Sequence, residues 1–474
     1  MRRAVLAVLA ASLALPAAAA GARPLRTAFL DPLTFGGANG AAALQQAADA
    51  GASSVRLALF WTTVAASAPS GDRSDPGNPA YTWGPFDRQV MQARAVGLDP
   101  LVYISGSPTW ARDRAAGGAG TTWPRPAELA RFAEAAARRY GGAFQAEGAA
   151  LPRVRYWQVW NEPAARSDLK PQFRGNRPVA VGHYRRMVNA FAVAVHRVHA
   201  DNLVVAGGLG PFGHNAKDIQ VVAPLRFMSL MLCVARKPPH RRTCAQRSTF
   251  DVWSHNPYTN GGPTRHAAGA DDVSLGDLPE MRSVLDAAVR AHTILSKRHV
   301  EFWVTEISWD TRPSDPRGVP MTLHARWVAE ALYRMWASGV SLVTWYRLRD
   351  DPLRESPYQS GMYFVDGEPK LSLRAFRFPF VALRTRRGVQ TWGRTPDGKT
   401  ATVVIEQVAG GGWRELATMR ADQFGIFSKG FRGPRSGSLR ARLASGDDVS
   451  VPFALAAPRD RRVDPFGCGG SIHC

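Results

Sequence analysis

Cysteine is scarce, with four residues in a chain of 474. They fall into two close pairs, Cys233 with Cys244 and Cys468 with Cys474. Neither pair has C-x-x-C spacing, so no metal site is expected from them. Long uncharged runs are also missing. Beyond the first 22 residues no stretch of about 20 is free of charge, so no stable membrane span is expected in the mature chain. Acidic residues are under-represented: 38 Asp and Glu stand against 60 Lys and Arg, a net charge of +22. Clustered cations interleaved with aromatics, the mark of a nucleic-acid partner, are lacking outside Arg236 to Arg242, and no such partner is expected. The balance fits an anionic surface or an acidic polysaccharide. A compositional bias towards Arg and Ala fits it too, and the even spread of arginines along the chain favours bias.

What is present begins with a secretory signal over residues 1–22. Arg2 and Arg3 form its charged start, Ala4 to Leu15 its apolar run, and Ala17 to Ala20 its cleavage region. The chain is therefore expected to be secreted, with two local disulfides, Cys233–Cys244 and Cys468–Cys474. Hydrophobic residues make up 45% of the chain, enough for an ordinary core. The length suits a barrel with a small additional module.

Short β-branched and aromatic runs alternate with helical patterns along the chain. The strands read Thr27–Asp31, Ser54–Trp61, Asp99–Ile104, Val154–Trp160, Asn202–Ala206, Phe250–His255, Phe302–Ile307 and Ser341–Tyr346. Eight strands separated by helices predict a (β/α)8 TIM barrel over residues 23–386. From about 388 the pattern changes to strands joined by Asp-Gly and Gly-Gly turns. A β-sandwich module is expected over 387–457, followed by an irregular tail over 458–474. Gly208-Leu-Gly-Pro-Phe-Gly213 matches a dinucleotide-binding fingerprint literally. Pro211 and the Gly-His-Asn that follows do not open a helix, so the match is rejected and no cofactor is expected.

Two carboxylates stand at strand ends, where a (β/α)8 barrel builds its active site. Glu162 closes Tyr156-Trp-Gln-Val-Trp-Asn-Glu-Pro163, in which Pro163 forces the strand to stop. Glu306 closes Phe302-Trp-Val-Thr-Glu306. The interval between them leaves room for about three βα units of ~40 residues. Cleavage of a glycosidic bond needs such a pair, one group to protonate the leaving oxygen and one to attack the anomeric carbon or activate water.

With Trp160-Asn161-Glu162-Pro163 and Val304-Thr305-Glu306 in this order, the chain resembles the clan A glycoside hydrolases over roughly residues 27–385. Its look is that of the β-xylosidase, iduronidase and cellulase-like branches. The resemblance implies a retaining hydrolase acting on an oligosaccharide or polysaccharide, neutral or anionic, with Glu162 as acid/base and Glu306 as nucleophile. It implies Asn161 on the sugar 2-hydroxyl, Arg56 supporting the nucleophile, His255 and Tyr258 close to it, and Trp345 as the floor beneath the cleaved sugar. A non-catalytic carbohydrate-binding barrel of the cell wall is the rival reading, and the presence of both Glu residues argues against it.

Overall fold

A computed structural model describes residues 23–463 apart from 119, 166, 217–218, 237, 355, 357 and 459–460. The signal region and the Cys468–Cys474 pair lie outside the described residues. Eight parallel strands close into a barrel: β1 (Arg26–Leu30), β2 (Ser54–Phe60), β3 (Asp99–Ser105), β4 (Tyr156–Val159), β5 (Leu203–Leu209), β6 (Val252–His255), β7 (Glu301–Ile307) and β8 (Val340–Tyr346). Each pairs with its sequence neighbours, and β1 pairs with β8. Helices occupy the connections, among them α1 (Gly40–Asp49), α2 (Gly84–Ala95), α3 (Pro126–Arg139), α4 (Val179–Val198), α5 (Pro224–Leu232), α6 (Leu278–Arg290) and α7 (Met321–Ala337). No described helix is long and apolar enough to cross a membrane.

Side chains alternate along each strand, so the strands feed two cores. The outward residues Val55, Leu57, Trp157, Val159, Val304, Val343 and Trp345 join the large core between strands and helices. The inward residues Ala28, Leu101, Tyr156, Leu203, Val205, Val252, Trp303 and Leu342 plug the barrel as a separate small cluster. One step further towards the strand C-termini the inward positions turn polar: Arg56, Gln158, Ser254, Thr305 and Thr344 are all completely buried. Buried polar groups are stable when partnered, and Arg56, Gln158, Ser254 and Thr305 each have a hydrogen-bond partner.

After α8 (Leu371–Arg377) the chain builds the β module. Three strands, β9 (Phe380–Thr385), β10 (Gly388–Arg394) and β13 (Ile426–Phe431), form one antiparallel sheet. The other has the order β12-β11-β14-β15, formed by β11 (Thr402–Ala409), β12 (Gly412–Arg420), β14 (Ser438–Leu443) and β15 (Phe453–Ala454). Val381, Trp392, Val403, Ile405, Phe427 and Leu439 are buried in the common core. The module starts earlier than the expected boundary at 387, because Pro379 ends α8 and Phe380–Thr385 becomes a strand paired with β10. Within the barrel, Cys233 and Cys244 are joined in a disulfide.

Candidate active site

The site grows from the polar layer at the C-terminal mouth of the barrel. β4 delivers Gln158 inward and then leaves strand geometry: Trp160 has φ 69° and Glu162 φ 38°, values rarely adopted by residues with a side chain. Surrounding bonds hold this turn. Gln158 Nε2 donates to Trp160 O (3.2 Å), and Trp160 Nε1 donates to Asp168 O (3.0 Å).

Arg56, inward on β2 and 0% exposed, organises the constellation. Its Nη1 donates to Glu306 Oε1 (2.6 Å), its Nη2 to Asn161 Oδ1 (2.8 Å) and its Nε to Gln158 Oε1 (2.9 Å). The guanidinium lies over the Tyr103 ring, 4.1 Å from its centroid. One rigid fork therefore joins a residue of β7 to two residues at the end of β4. Because Asn161 gives its oxygen to Arg56, its Nδ2 is the donor left for a ligand.

Glu306 reaches the mouth through an irregularity. Thr305 faces inward, since its Oγ1 donates to Asn256 Oδ1 (2.8 Å), and strict alternation would turn Glu306 outward. The β7–β8 register shifts between Val304 and Ile307, so both consecutive side chains point into the barrel. Tyr258 OH donates to Glu306 Oε2 (3.2 Å), and each carboxylate oxygen of Glu306 thus has a partner.

Glu162 sits in a different environment. Asn256 Nδ2 donates to its Oε1 (3.0 Å). Burial, then the charge of Glu306, then that of Asp168 push its pKa up to about 8, against the weaker opposing pull of Asn256 and Arg56. The two carboxyl groups thus stand in different environments: Glu162 is pushed towards its protonated form, and Glu306 is ion-paired with Arg56. Asp168 is a third carboxyl in range, raised to about 6 mainly by burial. Tyr346 and Tyr358 meet edge to face with centroids 5.2 Å apart, and Glu306 acts electrostatically on both.

Of the residues expected here, Glu162, Glu306, Asn161, Arg56 and Tyr258 come together, while His255 and Trp345 do not. Ser254 and Asn256 face inward, so His255 between them faces out; its Nε2 donates to Val273 O (2.9 Å). Trp345 likewise follows outward Val343, is 0% exposed, and donates from Nε1 to Ser360 O (2.8 Å) while packing on Trp309. No face of its indole is open to a sugar. The inward neighbours Asn256 and Tyr346 take these places. Counting alternation along each strand from its inward apolar residue, from Tyr156 to Gln158, from Val252 to Asn256 and from Leu342 to Tyr346, is the signal that would have found them and Gln158. Asp168 and Tyr358 come from loops and carry no sequence pattern.

No family model and no curated protein matches the sequence. Among solved structures, a family 39 glycoside hydrolase from Bacteroides cellulosilyticus is similar, with a TM-score of 0.53 and 16% identity, covering 86% of this chain and 79% of that one. A monomeric β-xylosidase from Caulobacter crescentus has a TM-score of 0.49 and 14% identity, covering 91% and 95%. The fold is that of the family 39 glycoside hydrolase. It is a (β/α)8 barrel carrying a β-sandwich, and the Glu162–Arg56–Glu306 constellation lies at the end of the barrel where this architecture places its chemistry.

Proposed function

We propose that this chain is an exported glycoside hydrolase that cleaves O-glycosidic bonds with retention of configuration. The observation that carries the reading is the Arg56 fork, which holds Glu306 and Asn161 in one frame while Glu162 remains protonated. Glu306, anchored by Arg56 and Tyr258, attacks the anomeric carbon. Glu162 gives its proton to the departing oxygen. Formation of the glycosyl ester removes the charge of Glu306, the second-largest influence raising Glu162; the pKa of Glu162 then falls and it can take a proton from water. Asn161 Nδ2 donates to the 2-hydroxyl, a contact that strengthens in the transition state. Export is supported by the N-terminal pattern and by the Cys233–Cys244 disulfide.

The mouth favours a neutral sugar at the point of cleavage. Glu306 and Asp168 supply negative charge, Arg56 is fully engaged, and Arg347, against the rings of Tyr346 and Tyr358, is committed to Asp31 (3.3 Å) and Asp351 (2.7 Å). The test is product stereochemistry on aryl glycosides of neutral sugars, followed by NMR. Wild type should release the retained anomer. Glu306→Ala should be rescued by azide with inverted product, and Glu162→Ala should give retained azide product. Inverted product from wild type would refute double displacement.

A further inference from the structure

Away from the barrel mouth, a groove of about 610 Å³ runs along the outer wall between α5 and a hairpin formed by Val234–Arg236 and Pro239–Arg241. Its volume lies within the roughly 300–1,000 Å³ of ordinary ligand sites. Arg226 enters it from α5, and His240 and Arg242 enter from the hairpin side; among the described residues no carboxylate lines it. Arg226 and Arg242 are exposed, and among the described residues neither has an ion pair or a side-chain hydrogen bond. Other arginines of the chain are matched to Asp or Glu, whereas Arg226 and Arg242 face one concavity together.

The scaffold around the groove also removes what would repel an anion. The C-terminal end of a helix carries partial negative charge. At α5 that end is covered by Arg185, which donates to Met231 O (3.1 Å) and to Leu230 O. The Cys233–Cys244 disulfide ties the base of the hairpin at the end of α5, and Arg242 N donates to Cys233 O (2.6 Å). The cations of the hairpin are thereby held at a fixed place beside Arg226.

We propose that this groove binds a uronate-bearing segment of an acidic polysaccharide. Its carboxylates pair with Arg226 and Arg242, and His240 stands beside them on the groove wall. The choice of a glycan as occupant rests on the hydrolase reading above. A single-stranded nucleic acid is disfavoured by the lining, because among the described residues His240 is its only aromatic and stacking platforms carry much of such binding. The two sites divide the labour by charge. The acidic mouth cuts between neutral residues, and the basic groove retains the polymer through its anionic ones.

The test is calorimetric titration of the full chain with a hexagalacturonate, with a neutral xylohexaose and a single-stranded DNA 20-mer as comparison probes, at low and at physiological salt. Wild type should bind the hexauronate, more weakly as salt rises. Arg226→Glu with Arg242→Glu should weaken it by roughly tenfold or more. The milder Arg226→Gln with Arg242→Gln, which adds no carboxylate, should lie in between. Both double variants should keep the wild-type melting temperature and hydrolyse a small neutral aryl glycoside at the wild-type rate. Absence of hexauronate binding in wild type, equal binding in the double variants, or tighter binding of the DNA would overturn the proposal. Binding is read without turnover, so a chain inactive on all aryl glycosides would refute the hydrolase reading separately from this one.

Discussion

The elevated pKa of Glu162 makes a prediction with two opposite signs. A carboxylic acid that must donate a proton works below its pKa, so kcat/KM should fall as pH rises through about 8. Asn256 Nδ2 donates to Glu162 Oε1 at 3.0 Å, a bond that favours the ionised form. Asn256→Leu keeps the size of the side chain and removes that donor. A hydrogen bond to a charged group contributes about 1.5–3 kcal/mol, and 1.36 kcal/mol corresponds to one pH unit. The alkaline limb should therefore move up by roughly one to two pH units. Asp168→Asn removes a negative charge that opposes ionisation of Glu162, so the limb should move down, by less, since Asp168 ranks below both burial and Glu306. The assay is kcat/KM on a neutral aryl glycoside from pH 5 to 10 for wild type and both variants. Parallel movement of the two limbs, or none, would show that Glu162 does not govern the profile.

Further outcomes follow from the same geometry. Arg56→Leu strips Glu306, Asn161 and Gln158 of their shared donor; kcat/KM should drop by about 10²–10³, and chemical denaturation should show a loss of about 3 kcal/mol. Glu162→Gln should be the more stable protein at pH 9. In the folded chain the carboxyl ionises only near pH 8 against an ordinary 4.5, so its ionisation costs stability as pH rises across that interval, by about 2–4 kcal/mol after allowing for partial exposure. Melting curves at pH 5 and pH 9 check this, and a larger gain at pH 5 would contradict it. Lys370, completely buried, donates to Asp350 Oδ1 (2.6 Å) and Thr311 Oγ1 (2.7 Å). Lys370→Met should cost about 3–5 kcal/mol by leaving a buried charge unpaired, and adding Asp350→Leu should recover much of it, as read by urea unfolding.

The amino-acid sequence by itself determined the barrel and pointed to several of the polar residues at its C-terminal mouth. The apolar strands alternate with helices, and a strand must end where Pro163 follows Glu162; both signals are local. A charged Arg56 inside an apolar strand likewise announces a buried partner. Where sequence reading went astray, the error was one of face. His255 and Trp345 are chemically attractive residues on the outward side of their strands, while Asn256 and Tyr346, one position along, face the barrel interior. Other features were decided only in three dimensions. The register shift that turns both Thr305 and Glu306 inward depends on how β7 pairs with β8. Asp168 and Tyr358 approach from loops whose path is set by packing and not by any periodicity. The protonated state of Glu162 is the furthest removed from sequence. It arises from burial together with the fields of Glu306 and Asp168, and those fields act only once folding has brought residues distant along the chain within range of one another.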